Sequence, residues 1–314
     1  MTLNLTAEER LHCQVMQACL NAIQKDKPLI LKGGTALMLG YGLERFSEDL
    51  DFDIADTYTG KGTIKLDSVL KNALPYGVEL QELVLRKDTP SVTRYILRYQ
   101  QNCISDKLKI EVSYRTPVKS SDIVHKNGNQ FLSVAKIADF KINTVLNSDT
   151  DARTKARDLF DTVFIVKNYA NTVNPEYLNQ LKQLDINELV SRYEQSFIED
   201  KIMQRHKISA DEVILSLYES LSNIKPNDLT QLKQQYQAAK ATLSPKEQES
   251  LSVAERLIQH SFEQSNISSH TREYYLGNFY RNVTKEIKNG TFQIPNPYDK
   301  TPTISKKTDK GIDI

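Results

Sequence analysis

The sequence predicts an α+β protein in which a mixed sheet with flanking helices is followed by an all-helical bundle domain. Short strand-like runs alternate with amphipathic segments up to about residue 117, whereas no convincing strand follows Asn174-Pro175. We therefore expect an amino-terminal domain over residues 1–172 and a helical domain over 173–295. A flexible tail is expected over 296–314, where Pro, Lys and Asp are frequent.

The predicted elements follow from local start signals and hydrophobic periodicity. Thr6 and Glu9 form the pattern of a capping box, so the first helix is expected to begin there. A short apolar strand runs into Gly33-Gly34, and a short helix is expected to begin directly at these glycines. The other predicted elements are helices over residues 60–74, 134–146 and 152–169, and strands over 28–31, 49–54, 78–85, 92–99 and 108–114.

Composition and charge describe a soluble globular protein. The 314 residues are enough for one or two hydrophobic cores, and no apolar run approaches the roughly 20 residues of a membrane-spanning helix. The three cysteines lack a metal-site spacing and the amino terminus is polar and acidic, so we expect a cytoplasmic protein with no membrane partner. A net charge of +1 neither supports nor excludes RNA, which would need a local basic patch.

Gly33-Gly34-Thr35 predicts a phosphate-binding turn between a strand and a helix. Glycines let the backbone approach an anion closely, and the first amides of the helix then point at it. Thr35 adds a hydroxyl at the same position. The alternative is an ordinary tight turn, which an isolated Gly-Gly pair would favour. The carboxylates a few residues later favour the phosphate site instead.

A row of carboxylates occupies the next predicted strand. Asp49, Asp51 and Asp53 alternate with apolar residues, so they share one face. Such a row is tolerable if it is solvated at an edge or neutralised by divalent cations, and the nearby glycine turn favours the metal. Glu111, on the polar face of a later strand, is the expected third ligand. Its alternative role is a solvent-facing pair with Lys109.

Charged residues of two later helices complete the candidates. Lys141 lies in the first helix, and in the second Asp158 shares a face with Lys155 and Asp161. Surface ion pairs are the alternative interpretation of this run. A cluster of arginines and tyrosines over residues 272–281 could stack on RNA, although packing inside a helical bundle is the favoured interpretation.

The order of these motifs resembles that of the AbiEii/AbiGii-type nucleotidyltransferase toxins, in the DNA-polymerase-beta-like nucleotidyltransferase superfamily. The pattern is Gly-Gly-Thr-Ala-Leu, then Arg-x-Ser-x-Asp-Leu-Asp-Phe, then a helical lysine, then Arg-Asp-x-x-Asp, within residues 28–170. The resemblance implies a nucleotidyltransferase-like fold for the sheet and says little about the helical half.

The resemblance also implies a role for each matching residue. The nucleotide would be bound by Gly33, Gly34, Thr35, Arg45, Ser47 and Lys141; the metal ligands would be Asp49, Asp51 and Glu111; and the catalytic set would be Asp49, Asp51, Glu111, Lys141 and Asp158. Lys136 competes with Lys141 for the helical lysine, and Lys141 is preferred because its flanking residues fit better.

The function implied by the resemblance is nucleotide transfer from a nucleoside triphosphate with two Mg²⁺ ions, which would clamp the attacking and leaving oxygens. The protein would be the toxin of a toxin–antitoxin or abortive-infection phage-defence system, with an antitoxin as partner. The implied acceptor is an RNA, such as the 3′ end of a tRNA. The alternatives are transfer to a protein hydroxyl and a catalytically silent nucleotide-binding module.

Overall fold

The computed structural model describes residues 5–58, 60, 62–147, 149, 153–223, 229–264 and 269–292. The flexible tail predicted over 296–314 lies outside these residues. None of the helices in the described part of the chain combines the length and the apolar character needed to cross a membrane.

The described residues contain a seven-stranded mixed sheet with the order β3-β4-β5-β2-β1-β7-β6. Its strands are β1 Leu29–Lys32, β2 Asp49–Ala55, β3 Glu79–Thr89, β4 Val92–Gln101, β5 Ile104–Val118, β6 Ile123–Lys126 and β7 Asn129–Leu132. The β2–β5 and β1–β7 pairs are parallel and the other pairs are antiparallel. The predicted mixed sheet is therefore confirmed.

Helices flank the sheet and account for the carboxy-terminal half of the described chain. They are α1 Ala7–Asp26, α2 Gly33–Tyr41, α3 Asp67–Lys71, α4 Val134–Leu146, α5 Ala156–Tyr169, α6 Pro175–Gln183, α7 Ile186–Glu199, α8 Lys201–Arg205, α9 Ala210–Ser222, α10 Leu229–Lys240, α11 Pro245–Gln264 and α12 Ser269–Lys288. The capping box of α1 is confirmed, because Glu9 N donates to Thr6 Oγ1 and Thr6 N donates to Glu9 Oε2.

The helix predicted over residues 60–74 is wrong in extent, since among the residues of that range that the structure describes only α3 is helical. Gly62 has a φ of +84°, which a right-handed helix does not allow. The next residues bond outside their own segment: Ile64 N donates to the Tyr114 hydroxyl at 2.8 Å and Leu66 N to the Tyr95 hydroxyl at 3.2 Å. Contacts with the sheet therefore override the local apolar periodicity.

The hairpin of β6 and β7 did not appear among the predicted strands. Its turn is Asn127-Gly128, where both residues have positive φ, +50° and +77°. This pair suits the two-residue turn of a tight hairpin. The sequence signal was therefore present, but the flanking strands are only four residues each and lack a long alternating pattern.

The chain divides into two compact units. The first consists of the residues up to Val173 together with Gln180–Leu221, and the second of Asn174–Asn179 with the residues from Ser222 onward. The first unit thus contains the sheet and also α7, α8 and α9. A boundary at residue 172 between independently folding domains stays a prediction.

Each unit has its own hydrophobic core. In the first, the apolar faces of the central strands are fully buried, with Leu31, Phe52 and Ile110 among them. In the second, Tyr236, Leu251 and Tyr280 form the centre of a cluster contributed by α10, α11 and α12. The burial of Tyr280 agrees with the packing interpretation for that residue of the arginine–tyrosine cluster, whereas Tyr275 is exposed.

Candidate active site

The central strands place the predicted acidic residues side by side. On β2, Asp49 and Asp51 project from one face, while Phe52 is fully buried on the other. Strand β5 runs parallel to β2, with Asp49 opposite Lys109 and Asp51 opposite Glu111. The side chains of Asp49 and Asp51 are 40% and 39% exposed, so both carboxylates are accessible from outside.

The glycine turn lies beside these carboxylates, where β1 passes into α2. Gly33 has a φ of +72°, a backbone conformation that favours glycine. Gly34 must lack a side chain for a different reason, because a Cβ there would lie 2.4 Å from Arg45 Nη2. The N-cap residue of α2, Lys32, makes no side-chain capping bond to the described residues. The first backbone amides of this nine-residue helix are therefore available to an anion.

Two hydroxyl groups join this turn to the acidic strand. Thr35 is buried, and its Oγ1 donates to the backbone oxygen of Asp49 at 2.5 Å and shares a hydrogen bond with Ser47 Oγ at 2.8 Å. These hydrogen bonds occupy the Thr35 hydroxyl and hold the start of β2 against α2. Ser47 is also buried, although it reaches the wall of the adjoining cavity.

Lys109 is the cation nearest to the aspartate pair among the described residues. Its Nζ lies 2.6 Å from Asp49 Oδ2 and 3.8 Å from Asp51 Oδ1. Burial of Asp51 raises the pKa of its carboxyl, Lys109 opposes this shift, and the charges of Asp49 and Glu111 add to it. Burial is thus the main cause of the raised pKa, and the neighbouring negative charges are a smaller one.

The other two carboxylates of this face also have basic partners. Lys32 Nζ lies 2.5 Å from Asp53 Oδ1, and Arg94 Nη2 lies 2.7 Å from Glu111 Oε2. Within the described residues, no group of three or more His, Cys, Asp or Glu side chains is arranged to hold a metal ion. Glu111 lies opposite Asp51 in the pairing of β2 with β5, but its carboxylate contacts Arg94.

A chain of buried ion pairs forms the neighbouring wall. Arg45 donates from Nε and Nη2 to the two oxygens of Asp161, both at 2.7 Å. Lys141 Nζ lies 2.8 Å from Asp161 and 2.5 Å from Asp158, which also accepts from Arg153 Nε at 2.8 Å. Burial alone would raise the pKa of the Asp161 carboxyl, but Arg45 and Lys141 outweigh that effect and lower it. Asp161 therefore stays ionised, and the ion pairs tie the loop between α2 and β2 to α4 and α5.

A cavity of about 820 Å³ lies between the glycine turn, the acidic strand and this buried chain. The predicted site residues on its wall are Gly33, Gly34, Arg45, Ser47, Asp49, Asp51, Lys141 and Asp158. Thr35 and Glu111 are not part of the wall. Lys136, the competitor of Lys141, is also absent from it and pairs with Asp139 at 3.2 Å. The structure thus brings eight of the ten predicted site residues to one cavity.

Sequence reasoning missed several residues that matter at this cavity. Lys109 was considered as a partner of Glu111, but the parallel register of β5 places it against Asp49 instead. Asp161 was placed on the face of Asp158 without a role, and the structure shows it to be the shared partner of Arg45 and Lys141. The Arg-Asp-x-x-Asp spacing was the available signal for Asp161. No signal near Lys109 in the sequence identifies its partner, because β2 and β5 are distant along the chain.

Comparison with known proteins agrees with this geometry. The family model described as "Nucleotidyl transferase AbiEii toxin, Type IV TA system" matches residues 14–264. The crystal structure of JHP933 from Helicobacter pylori is 36% identical with a TM-score of 0.62, and the match covers 70% of this chain and 92% of that chain. A structure described as "putative nucleotidyltransferase from H. pylori" is also 36% identical, with a TM-score of 0.61 and coverage of 69% and 95%. No curated protein matches the sequence.

The family model extends over most of the chain, and the matched range contains the residues that line the cavity. The similarity to the two Helicobacter structures extends over nearly the whole of those chains. This chain belongs to the AbiEii family of nucleotidyltransferases, the toxins of type IV toxin–antitoxin systems.

Proposed function

We propose that this nucleotidyltransferase moves a nucleotide from a nucleoside triphosphate to an RNA acceptor, in a reaction that depends on Mg²⁺. The main support is the single cavity on which the glycine turn, the two exposed aspartates and a basic wall converge. A volume of about 820 Å³ is large enough for a nucleotide, since small-molecule sites occupy roughly 300–1,000 Å³.

The triphosphate would lie at the start of α2. There, uncapped backbone amides and the helix dipole attract negative charge without a dedicated side chain. Gly34 keeps the turn in contact with Arg45, whose guanidinium is held by Asp161. Arg45 and Lys141 are held in place by their ion pairs, so they would present positive charge to the phosphates from fixed positions.

Asp49 and Asp51 are suitable ligands for Mg²⁺, with Glu111 as the third carboxylate beside them. Carboxylate oxygens are the ligands that Mg²⁺ prefers, and the two aspartates are exposed on the side that faces the cavity. When bound, Mg²⁺ would polarise the reacting phosphate and lower the pKa of an attacking hydroxyl. Glu111 would have to exchange its contact with Arg94 to join them.

A basic rim supports a polyanionic acceptor. Arg153, Lys155 and Arg192 line the cavity on the side of α5 and α7, and the first two are exposed. Phosphate groups of RNA are attracted by such local positive charge even when the net charge of the protein is near zero. We propose an RNA acceptor for this reason, with the 3′ end of a tRNA as the specific case to examine and a cognate antitoxin as the natural inhibitor.

Purified protein would be incubated with each labelled nucleoside triphosphate, Mg²⁺ and total RNA. Asp51→Asn removes a proposed metal ligand, and Glu82→Gln is the matched control because Glu82 is an exposed carboxylate on β3, paired with Arg98 away from the cavity. The proposal expects label on RNA with the wild type and the control but not with Asp51→Asn. Label on protein would favour transfer to a protein hydroxyl. Nucleotide binding without any transfer would favour the silent module.

A further inference from the structure

The acidic face of the sheet is short of one positive charge. Its carboxylates are Asp49, Asp51, Asp53 and Glu111, and their partners within 4 Å among the described residues are Lys32, Arg94 and Lys109. Asp53 and Glu111 each have a cation of their own. Asp49 and Asp51 share the third, so the uncompensated negative charge lies at this pair.

Lys109 is suited to a contact that can be exchanged. Its Nζ is close to Asp49, at 2.6 Å, and only within Coulombic range of Asp51, at 3.8 Å. A lysine with carboxylates beside it is positively charged at neutral pH. A lysine is a compact charge on a flexible stem, which can move away from one partner without disturbing the backbone.

The two lysine contacts of this face differ in how easily they could be replaced. Lys32 meets Asp53, whose side chain is 8% exposed, so that ion pair is largely shielded from solvent. Lys109 meets carboxylates that are about 40% exposed and that line the cavity together with it. An incoming cation can therefore reach the partners of Lys109 directly.

We propose that Lys109 is a positioning residue that neutralises Asp49 and Asp51 before a divalent cation binds and competes with the cation for them. This inference rests on the proposed metal dependence of the reaction. Without Lys109, the repulsion between the two carboxylates would be unrelieved and their attraction for a cation stronger. With Lys109 in place, a free cation binds weakly.

The same competition links the cation to the nucleotide. Lys109 lines the cavity in which the triphosphate would lie. A bound triphosphate offers the ammonium another anionic partner, so it would favour release of Lys109 from the aspartates. By thermodynamic reciprocity, the nucleotide would then tighten binding of the cation, and the cation would tighten binding of the nucleotide to the same extent.

Calorimetric titration of the nucleotide-free protein with Mn²⁺ tests the inference. Lys109→Met should bind Mn²⁺ roughly tenfold more tightly than the wild type, since a neighbouring positive charge has been removed. Lys109→Arg keeps the charge and should bind like the wild type. Lys107→Met is the matched control, because Lys107 is an exposed lysine two positions earlier on β5 and is not part of the cavity wall. A non-hydrolysable nucleoside triphosphate should tighten Mn²⁺ binding more in the wild type than in Lys109→Met.

The outcomes separate this inference from the proposed function. Equal or weaker Mn²⁺ affinity in Lys109→Met would overturn the role of Lys109 while leaving metal dependence intact. No Mn²⁺ binding to either protein, with or without the nucleotide, would instead overturn the metal dependence itself. If Lys109→Met does not fold, as judged by its thermal unfolding, Lys109→Gln takes its place with the same expected gain in affinity.

Discussion

Two groups of charged residues adjoin the same cavity and are built in opposite ways. On the acidic face of β2, half-exposed aspartates share one flexible lysine. In the buried chain, Asp161 is completely inaccessible to solvent and is held by two nitrogens of Arg45 and by Lys141. The first group is accessible to an incoming ion, as the proposed exchange requires, whereas the second holds the loop before β2 against α4 and α5.

This difference predicts separate effects on activity and on stability. Loss of Asp49 or Asp51 from the acidic face should abolish the reaction and leave the fold unchanged. Loss of a residue from the buried chain should have its largest effect on stability, as a lower free energy of unfolding.

The largest effect is expected for Asp51→Asn, measured as the rate of nucleotide transfer. Loss of a metal ligand removes several kcal/mol of transition-state stabilisation, which corresponds to roughly a thousandfold reduction in rate. The free energy of unfolding should change by less than about 0.5 kcal/mol, because a crowded negative charge is removed and little packing is lost. Wild-type activity in Asp51→Asn would show that Asp51 does not bind an essential metal.

Asp161→Ala should show the reverse pattern and lose roughly 3–5 kcal/mol in the free energy of unfolding, since it leaves Arg45 and Lys141 buried without their partner. Urea unfolding monitored by circular dichroism measures this. Asp139→Ala is the control, because Asp139 is an exposed carboxylate paired with Lys136 on the surface. If the two variants were equally stable, the buried chain would not be the structural element that we infer.

Acidification should weaken the buried chain in a defined pH range. The folded protein holds the pKa of Asp161 below its value in the unfolded chain. The stabilisation by this carboxylate is therefore present above the unfolded pKa, about 4, and is lost as the pH falls through the lower folded pKa. The difference in free energy of unfolding between the wild type and Asp161→Asn, measured by urea unfolding from pH 6 to pH 2.5, should shrink over that range. A constant difference would contradict the assignment.

A substitution at the glycine turn should affect both regions moderately. Gly34→Ala places a Cβ against Arg45, so it should cost about 1–3 kcal/mol of stability and weaken nucleotide binding. Gly42→Ala is the control: Gly42 has a φ of +82°, and a Cβ there meets none of the described atoms within 4 Å. It should cost about 1–2 kcal/mol through backbone strain and leave nucleotide affinity unchanged. Equal nucleotide affinity in the two variants would remove the turn from the proposed site.

The smallest effect is expected for Lys136→Ala. Lys136 pairs with Asp139 on the surface, and exposed pairs contribute only about 0–1 kcal/mol. The rate of nucleotide transfer should change by less than about twofold, compared with the roughly thousandfold reduction expected for loss of a metal ligand. Lys141→Ala, by contrast, leaves Asp158 and Asp161 without their shared cation and should be both less stable and less active. If Lys136→Ala reduced transfer activity more than Lys141→Ala, Lys136 would be the helical lysine of the family pattern in place of Lys141.

Much of the site could be predicted because its residues are close together in sequence. Gly33, Gly34, Asp49 and Asp51 belong to a single strand–turn–helix–strand segment, in which alternation and spacing determine which side chains share a face. The helix expected over residues 60–74 failed for the opposite reason. Local periodicity indicated a helix, but hydrogen bonds to two tyrosines of distant strands hold that segment in another conformation.

The sequence by itself determined the order of elements, the glycine turn, the aspartate pair and the family to which the chain belongs. Only the tertiary structure decided how their charges are balanced. The row of carboxylates on β2 was expected to need solvent or metal, yet Lys32 and Lys109 from the two neighbouring strands neutralise most of it. Ionic contacts depend on distance in three dimensions, and residues about 60 positions apart along the chain become neighbours only when a parallel register brings them together.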